Sequence, residues 1–261
     1  MYLHHAAVIQ RLIEKFQPDP NFVAVIVGGS VAKGWAKENS DVDVMLVVTE
    51  DEYARRTAMN DLVYYDPSLC DYEGGYVDGK IMPPSFLQEV ADHGSEPARA
   101  AFVNARVAYS HDPAIAELVA RIPVYPEAER AEKLRAFYGQ VLLLNWYVGE
   151  AEKRSDPYLL AYMSSDLALF ASRLILAHNR MLYPYHKWLM KVVAQAPEKP
   201  AHFMEMINAL VTQPTQANAQ ALCDSLSAFQ DWGVTIGEAV ILFMHHREWN
   251  WRTGRAPLQD W

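Results

Sequence analysis

The sequence predicts a chain of two halves, with residues 1–125 mixing strands and helices and residues 126–261 all helical. Three observations carry this reading. Short continuous apolar runs of strand length, 22–27 and 44–48, lie in the first half between Gly, Pro and Asp breakers. The second half repeats apolar residues at helical spacing and has no convincing period-two segment. Between them stands Pro-Val-Tyr-Pro at 123–126. A length of 261 residues allows one large domain or two small ones.

Each element follows from local pattern. Leu3, Ala7, Val8, Leu12, Ile13 and Phe16 make a helical stripe over 2–16, which Pro18 and Pro20 stop. The valine-rich run 22–27, bounded by Pro20 and Gly28-Gly29, fits a strand buried on both faces. Residues 30–37 read as a short helix and 41–48 as a second strand. The stretch 50–65, free of Gly and Pro, reads as a helix, and 75–82 as a third strand. Helices are expected over 83–93, 95–104 and 113–121, with a brief edge strand at 106–109. In the second half, periodic stretches cover 127–152, 158–180, 184–196, 200–212, 215–230 and 233–249. Asp156-Pro157, Tyr183-Pro184, Pro214 and Gly233 are among the breaks, a bundle pattern with short connections.

Composition removes several classes. With 51% hydrophobic residues spread along the chain, disorder is excluded for most of it. Two cysteines, Cys70 and Cys223, exclude a disulfide framework and have no zinc-ligand spacing; a reducing, cytoplasmic location is expected. The first residues lack the basic and apolar regions of a secretory leader. No uninterrupted apolar run approaches the roughly 20 residues of a membrane span, so none is expected. The net charge is −9, with 10 Lys+Arg against 18 Asp+Glu in residues 1–125 and 13 against 14 in the remainder. An acidic chain without basic clusters is a poor binder of duplex nucleic acid and a better one of metal cations or a cationic small molecule.

The chemistry is concentrated between residues 25 and 48. An apolar strand runs into Gly28-Gly29-Ser30 and then a helix. Glycines permit close approach and positive φ, the helix start offers free N–H groups to an anion, and Ser30 adds a hydroxyl. This is a phosphate cradle, but not a P-loop, because Trp35-Ala36 follow Gly34 where Lys-Ser/Thr is required. Nor is it a dinucleotide fingerprint, as Gly-x-Gly-x-x-Gly is missing. Asp41-Val42-Asp43 places two carboxylates on one side of a strand start, roughly 7 Å apart. Their repulsion is relieved by a divalent metal, for which carboxylates plus substrate phosphates are the usual ligands. Asp78, alone in an apolar strand candidate, completes the site if its strand lies beside that of Asp43. The competing reading of Asp78-Gly79 is a hairpin turn.

Strand, Gly-Gly-Ser-x-Ala-x-Gly, short helix and Ser-Asp-x-Asp together resemble the nucleotidyltransferase superfamily typified by polymerase β, in the form of its bacterial small-molecule branch, which includes aminoglycoside and lincosamide enzymes. The specific match covers about residues 22–82. The resemblance implies an α+β nucleotidyltransferase domain over 1–125, a small mixed sheet flanked by helices, and a helical-bundle substrate-binding domain over 126–261. It further implies that Gly29 and Ser30, with Gly28, hold a nucleoside triphosphate. Asp41 and Asp43 would bind Mg²⁺, two ions being expected. Asp78 would bind metal or help deprotonate the acceptor. The implied reaction moves a nucleoside monophosphate, AMP from ATP in the leading version, onto a hydroxyl of a small acceptor such as an antibiotic. A protein-modifying, antitoxin-type enzyme and a non-catalytic nucleotide-sensing module are the alternatives, and a homodimer is compatible with either.

The helical half carries no sharp motif. Glu150, Glu152 and Asp166 are acidic candidates for acceptor binding, against a simpler reading as solvated helix faces. The aromatic, basic segment 179–188 resembles the opening of a late helix in helical partners of these transferases, where Lys187 would reach the triphosphate. Arg173 and His178 have the Arg-x₄-His spacing of small helical RNase toxins, but i and i+5 are not adjacent on a helix, so that reading is disfavoured. His245-His246 is not a metal motif. Trp232, Trp249, Trp251 and Trp261 are expected as packing anchors rather than a nucleic-acid platform.

Overall fold

The structure, a computed structural model, describes residues 1–254. The chain divides into two compact units, Met1–Val124 and Tyr125–Trp261. The first is a mixed sheet flanked by helices and the second is predominantly helical, which is the expected fold class.

In the first unit α1 (Leu3–Phe16) precedes β1 (Phe22–Val27), the four-residue α2 (Gly29–Ala32) and β2 (Val42–Val48). Then come α3 (Glu50–Ala58), β3 (Val63–Asp66) and β4 (Val77–Met82). The unit closes with α4 (Pro84–His93), α5 (Glu96–Ala101), β5 (Arg106–Ser110) and α6 (Ala114–Arg121). The sheet order is β3-β4-β2-β1-β5. β1 is antiparallel to both neighbours, β2 and β4 run parallel, and β3 is antiparallel to β4. Strand alternation sorts the core. Val25, Val27, Val44, Leu46 and Ile81 face Val8, Leu12 and Phe16 of α1. Ala24, Ile26, Met45, Val47 and Met82 face Leu87 of α4 and Ile115 of α6. With helices on both faces, β1 is buried along its whole length, so its sequence is apolar without alternation.

Several boundaries differ from expectation. The helix after Ser30 ends at Ala32, not 37, because Gly34 takes a left-handed φ of 71° and the chain turns there. The helix expected over 50–65 ends at Ala58; Asn60, at φ 55°, reverses the chain, and Val63–Asp66 forms the edge strand β3. Asn tolerates this conformation better than most residues with a Cβ. Asp78-Gly79 is not a turn but lies inside β4. A Cβ on Gly79 would sit 2.1 Å from the Val44 carbonyl oxygen, so glycine lets β4 lie against β2.

The second unit contains α7 (Arg130–Arg154), α8 (Pro157–His178), α9 (Leu189–Ala194), α10 (Phe203–Thr212), α11 (Gln216–Phe229) and α12 (Ile236–Phe243). Its core joins Val141, Leu144 and Val148 of α7 to Leu167, Ala171 and Ile175 of α8, Ile207 of α10, and Leu222 and Leu226 of α11. α12 starts with a reciprocal cap between Thr235 and Glu238, and a π turn, Met244–Glu248, follows it. By length and composition the 22-residue α8 is apolar enough to cross a membrane. Its apolar residues supply the bundle core. Trp232 is an anchor, buried and donating to the Leu226 carbonyl at 2.9 Å. Trp249 and Trp251 are not anchors, because they lie in the exposed turns after the bundle's last helix. Trp261 lies outside the described residues.

Candidate functional site

The site is built where β1 ends and β2 and β4 begin. The Gly28 N–H donates to the Asp43 carbonyl at 2.9 Å, tying the end of β1 to β2. Gly29 has φ +57°, and a Cβ there would lie 1.6 Å from Asp43 Oδ2. The turn therefore touches the Asp43 carboxylate and requires glycine twice, for conformation and for space. Ser30 is buried at 8% exposure, and its hydroxyl has no hydrogen-bond partner. A buried hydroxyl left so is the kind of group that a bound ligand or water satisfies.

Parallel pairing sets Asp43 of β2 directly beside Asp78 of β4. The antiparallel pairing of β3 adds Tyr65 as the next residue in the same row. Asp41 enters from the loop before β2. Its neighbour Ser40 is held by two side chains on one carbonyl, His5 Nε2 at 3.1 Å and the Tyr72 hydroxyl at 2.8 Å. Burial, and next to it His4, lowers the His5 pKa. A neutral ring then donates its Nε2–H to the Ser40 carbonyl. Asp41, Asp43 and Asp78 each bring a carboxylate oxygen to within 4.8 Å of the others. All three are partly exposed. Three hard oxygen ligands, together carrying up to three negative charges, fit a divalent cation such as Mg²⁺.

Two features around the triad were not anticipated. Lys33, one turn beyond Ser30, has its amine pKa lowered by burial, with the Asp43 charge opposing the shift. The signal was present as a cation three residues after Ser30. Tyr76 has its phenol pKa raised by the Asp41 charge and by the hydrogen bond it makes to Asp41, with Asp78 and Asp43 adding to the effect. Its ring lies 5.5 Å from that of the exposed Tyr65. Tyr65 is not legible as a site residue while β3 is read as part of a helix, and Tyr76, in the expected strand 75–82, carries no motif of its own.

The candidates of the helical unit lie on its own elements. Lys187 is exposed on the turn His186–Trp188, its Nζ 5.6 Å from the Trp188 ring centre. Glu150 pairs with Lys153 at 2.8 Å, and Glu152 accepts from the Gln216 N–H at 3.0 Å at the start of α11. Asp166 pairs with Arg247 at 2.8 Å. Arg173 is stacked between the rings of Phe137 and Tyr183, and His178 meets Glu198 at 2.8 Å.

Residues 8–81 match the family model of the nucleotidyltransferase domain. Residues 95–189 match that of a domain of unknown function, DUF4037. Among solved structures, the chain matches that of a nucleotidyltransferase-like protein from Exiguobacterium sibiricum 255-15. It is 9% identical, with 97% of this chain and 81% of that chain covered and a TM-score of 0.49. No curated protein matches the chain. Residues 8–81 are thus similar to a nucleotidyltransferase domain, and the aspartate triad, which lies within that stretch, suits metal-dependent nucleotidyl transfer.

Proposed function

We propose that the chain transfers a nucleoside monophosphate, AMP from ATP, to a hydroxyl of a small-molecule acceptor and releases pyrophosphate. The observation that carries this reading is the convergence of Asp41, Asp43 and Asp78 to within 4.8 Å, in a unit matching the nucleotidyltransferase domain.

The triad would hold the divalent ions, two Mg²⁺ in the fullest version. When bound, they supply charge neutralisation of the triphosphate and acidify the attacking hydroxyl. The chain's own residues do the remainder. The backbone after Gly28 and the unpartnered Ser30 hydroxyl donate to phosphate oxygens, and the close turn at Gly29 lets the phosphates approach Asp43. Lys33 adds a cation beside Asp43. The acceptor oxygen attacks the α-phosphorus, the new O–P bond replaces the bond to the β-phosphate oxygen, and pyrophosphate leaves. The acceptor proton passes to a carboxylate, for which Asp78 is the candidate. Positioning and electrostatics provide most of the rate in such a design. We retain Lys187 as a proposed donor contact, tested by the ATP affinity of Lys187→Ala.

The test is a thermal-shift panel of the four ribonucleoside triphosphates, with and without Mg²⁺, on the wild type and Asp43→Asn. At 100 times Kd a ligand adds about 2.7 kcal/mol, or roughly 5–10 °C for a chain of this size. A Mg²⁺-dependent shift that vanishes in the variant names the donor. Pyrophosphate release is then screened against hydroxylated acceptors, aminoglycosides among them, and against proteins. No shift with any triphosphate would sink the transferase reading in favour of a non-catalytic module.

A further inference from the structure

Asp43 and Asp78 are placed by strand pairing, but Asp41 stands one residue before β2, outside the ladder. Its place is set by the groups around it. On its N-terminal side the Ser40 carbonyl accepts from His5 Nε2 at 3.1 Å and from the Tyr72 hydroxyl at 2.8 Å. A carbonyl only accepts, so the His5 ring carries its proton on Nε2. Ser40 is anchored further by Lys37. Its N–H donates to the Lys37 carbonyl at 3.1 Å, and its hydroxyl accepts the Lys37 N–H at 2.8 Å. On the C-terminal side the Val42 N–H donates to the Tyr76 carbonyl at 3.0 Å. Peptide units are planar, so pinning the two that flank the Asp41 Cα leaves its φ and ψ little freedom. The Tyr76 phenol is hydrogen-bonded to the Asp41 carboxylate and restricts its rotamer as well.

We infer that His5, Tyr72 and Tyr76 are positioning residues for Asp41, which raise the affinity of the triad for a divalent cation by ordering that carboxylate before the ion arrives. This rests on the reading of the triad as a metal site. His5 is fully buried on α1, and the two tyrosines belong to the connection between β3 and β4. The Tyr72 ring lies 5.4 Å from that of His5, edge to face, so the two donors reach Ser40 from one packed pair. Without this brace the cost of ordering Asp41 would fall on ion binding instead of on folding. Fixing the backbone of one residue changes an equilibrium constant about 5–30-fold. Outer hydrogen-bond partners of metal ligands are typically worth about 10–100-fold in metal affinity.

The probe is Mn²⁺ alone, titrated against the full chain without nucleotide and followed by the EPR signal of the free ion. Tyr76→Phe keeps the ring and removes the hydroxyl, and the Mn²⁺ dissociation constant should rise about tenfold. Two double variants address the Ser40 carbonyl. Tyr72→Phe with His5→Met removes both donors and should weaken Mn²⁺ binding about 5–30-fold. Tyr72→Phe with His5→Gln has side chains of the same length but keeps an N–H donor, and should recover part of that loss. Weakening in Tyr76→Phe together with recovery by glutamine supports the inference. Wild-type affinity in a folded Tyr76→Phe would overturn it, and this variant carries the test if neither double variant folds. Equal losses with methionine and glutamine would overturn the part given to His5, since packing alone would then account for it. Asp43→Asn is run in parallel. If wild type shows no Mn²⁺ site that this substitution removes, the metal reading itself fails and the inference with it.

Discussion

At Gly29 the backbone and the carboxylate of Asp43 compete for one space, since a Cβ would lie 1.6 Å from Oδ2 and φ is +57°. Gly29→Ala therefore has two consequences. The left-handed conformation costs a non-glycine residue roughly 1–2 kcal/mol. The added methyl also displaces Asp43 from the triad, so the response to Mg²⁺ should go with the stability. Asp43→Asn separates the two effects. It removes one of three like charges, so in EDTA the variant should melt no lower than wild type, while Mg²⁺ should no longer raise its Tm. Melting curves of both variants with EDTA and with Mg²⁺ check this. A Gly29→Ala protein that keeps the wild-type Mg²⁺ shift would restrict the glycine to a conformational role. The residue pattern Gly-Gly-Ser followed by Asp-x-Asp was legible in the sequence because its spacing is local. The contributions of His5 and Tyr72, which hold Ser40 from 35 and 32 residues away, were not.

The element that sequence reasoning lost is β3. Its neighbour α3 is capped by Thr49, whose hydroxyl accepts the Glu52 N–H, and the helix pattern continues without Gly or Pro. What ends it is a side-chain network. Glu52 accepts from Arg55 and Arg56, and Arg56 also pairs with Asp61 beyond the turn at Asn60. Such a stop is set by ion pairs across the turn and by the β-sheet partner β4, neither visible as periodicity. The long bundle helices, by contrast, were legible because their apolar spacing persists over many turns. Hydrogen bonding from Arg55 first, and then Arg56, holds the Glu52 carboxyl down at about 2 from an ordinary 4.5, against the opposing effect of its burial. A depressed carboxylate pKa stabilises the fold above the unfolded value and loses that contribution as pH falls through the folded one. Wild type should therefore lose stability relative to Glu52→Gln between pH 4.5 and about 2, with the two running parallel above pH 5.5. Urea midpoints across that range measure it, and parallel curves throughout would show that the arginines do not hold Glu52.

On the scale of the whole chain, the negative charge is gathered where the triphosphate is proposed to bind. Residues 1–125 hold 18 Asp+Glu against 10 Lys+Arg, three of those acids in the triad. A nucleotide approaching this unit moves against the long-range field and is held by short-range partners, the divalent ions and the turn at Gly29-Ser30. Salt screens the long-range part beyond a Debye length of about 10 Å at 0.1 M and leaves close contacts largely intact. Raising KCl from 50 to 200 mM at fixed Mg²⁺ should therefore change the ATP dissociation constant only modestly, about threefold or less in either direction. A protein holding a polyanion through many Lys and Arg contacts would instead lose affinity by about 10³–10⁵ over that range. Calorimetric titration of ATP at the two salt concentrations distinguishes the cases. A steep loss would show that cations, not the carboxylate-bound metal, carry the nucleotide, and would shift attention from the triad to Lys33. A flat response that disappears with EDTA would leave the metal as the bridge between an acidic chain and its anionic substrate.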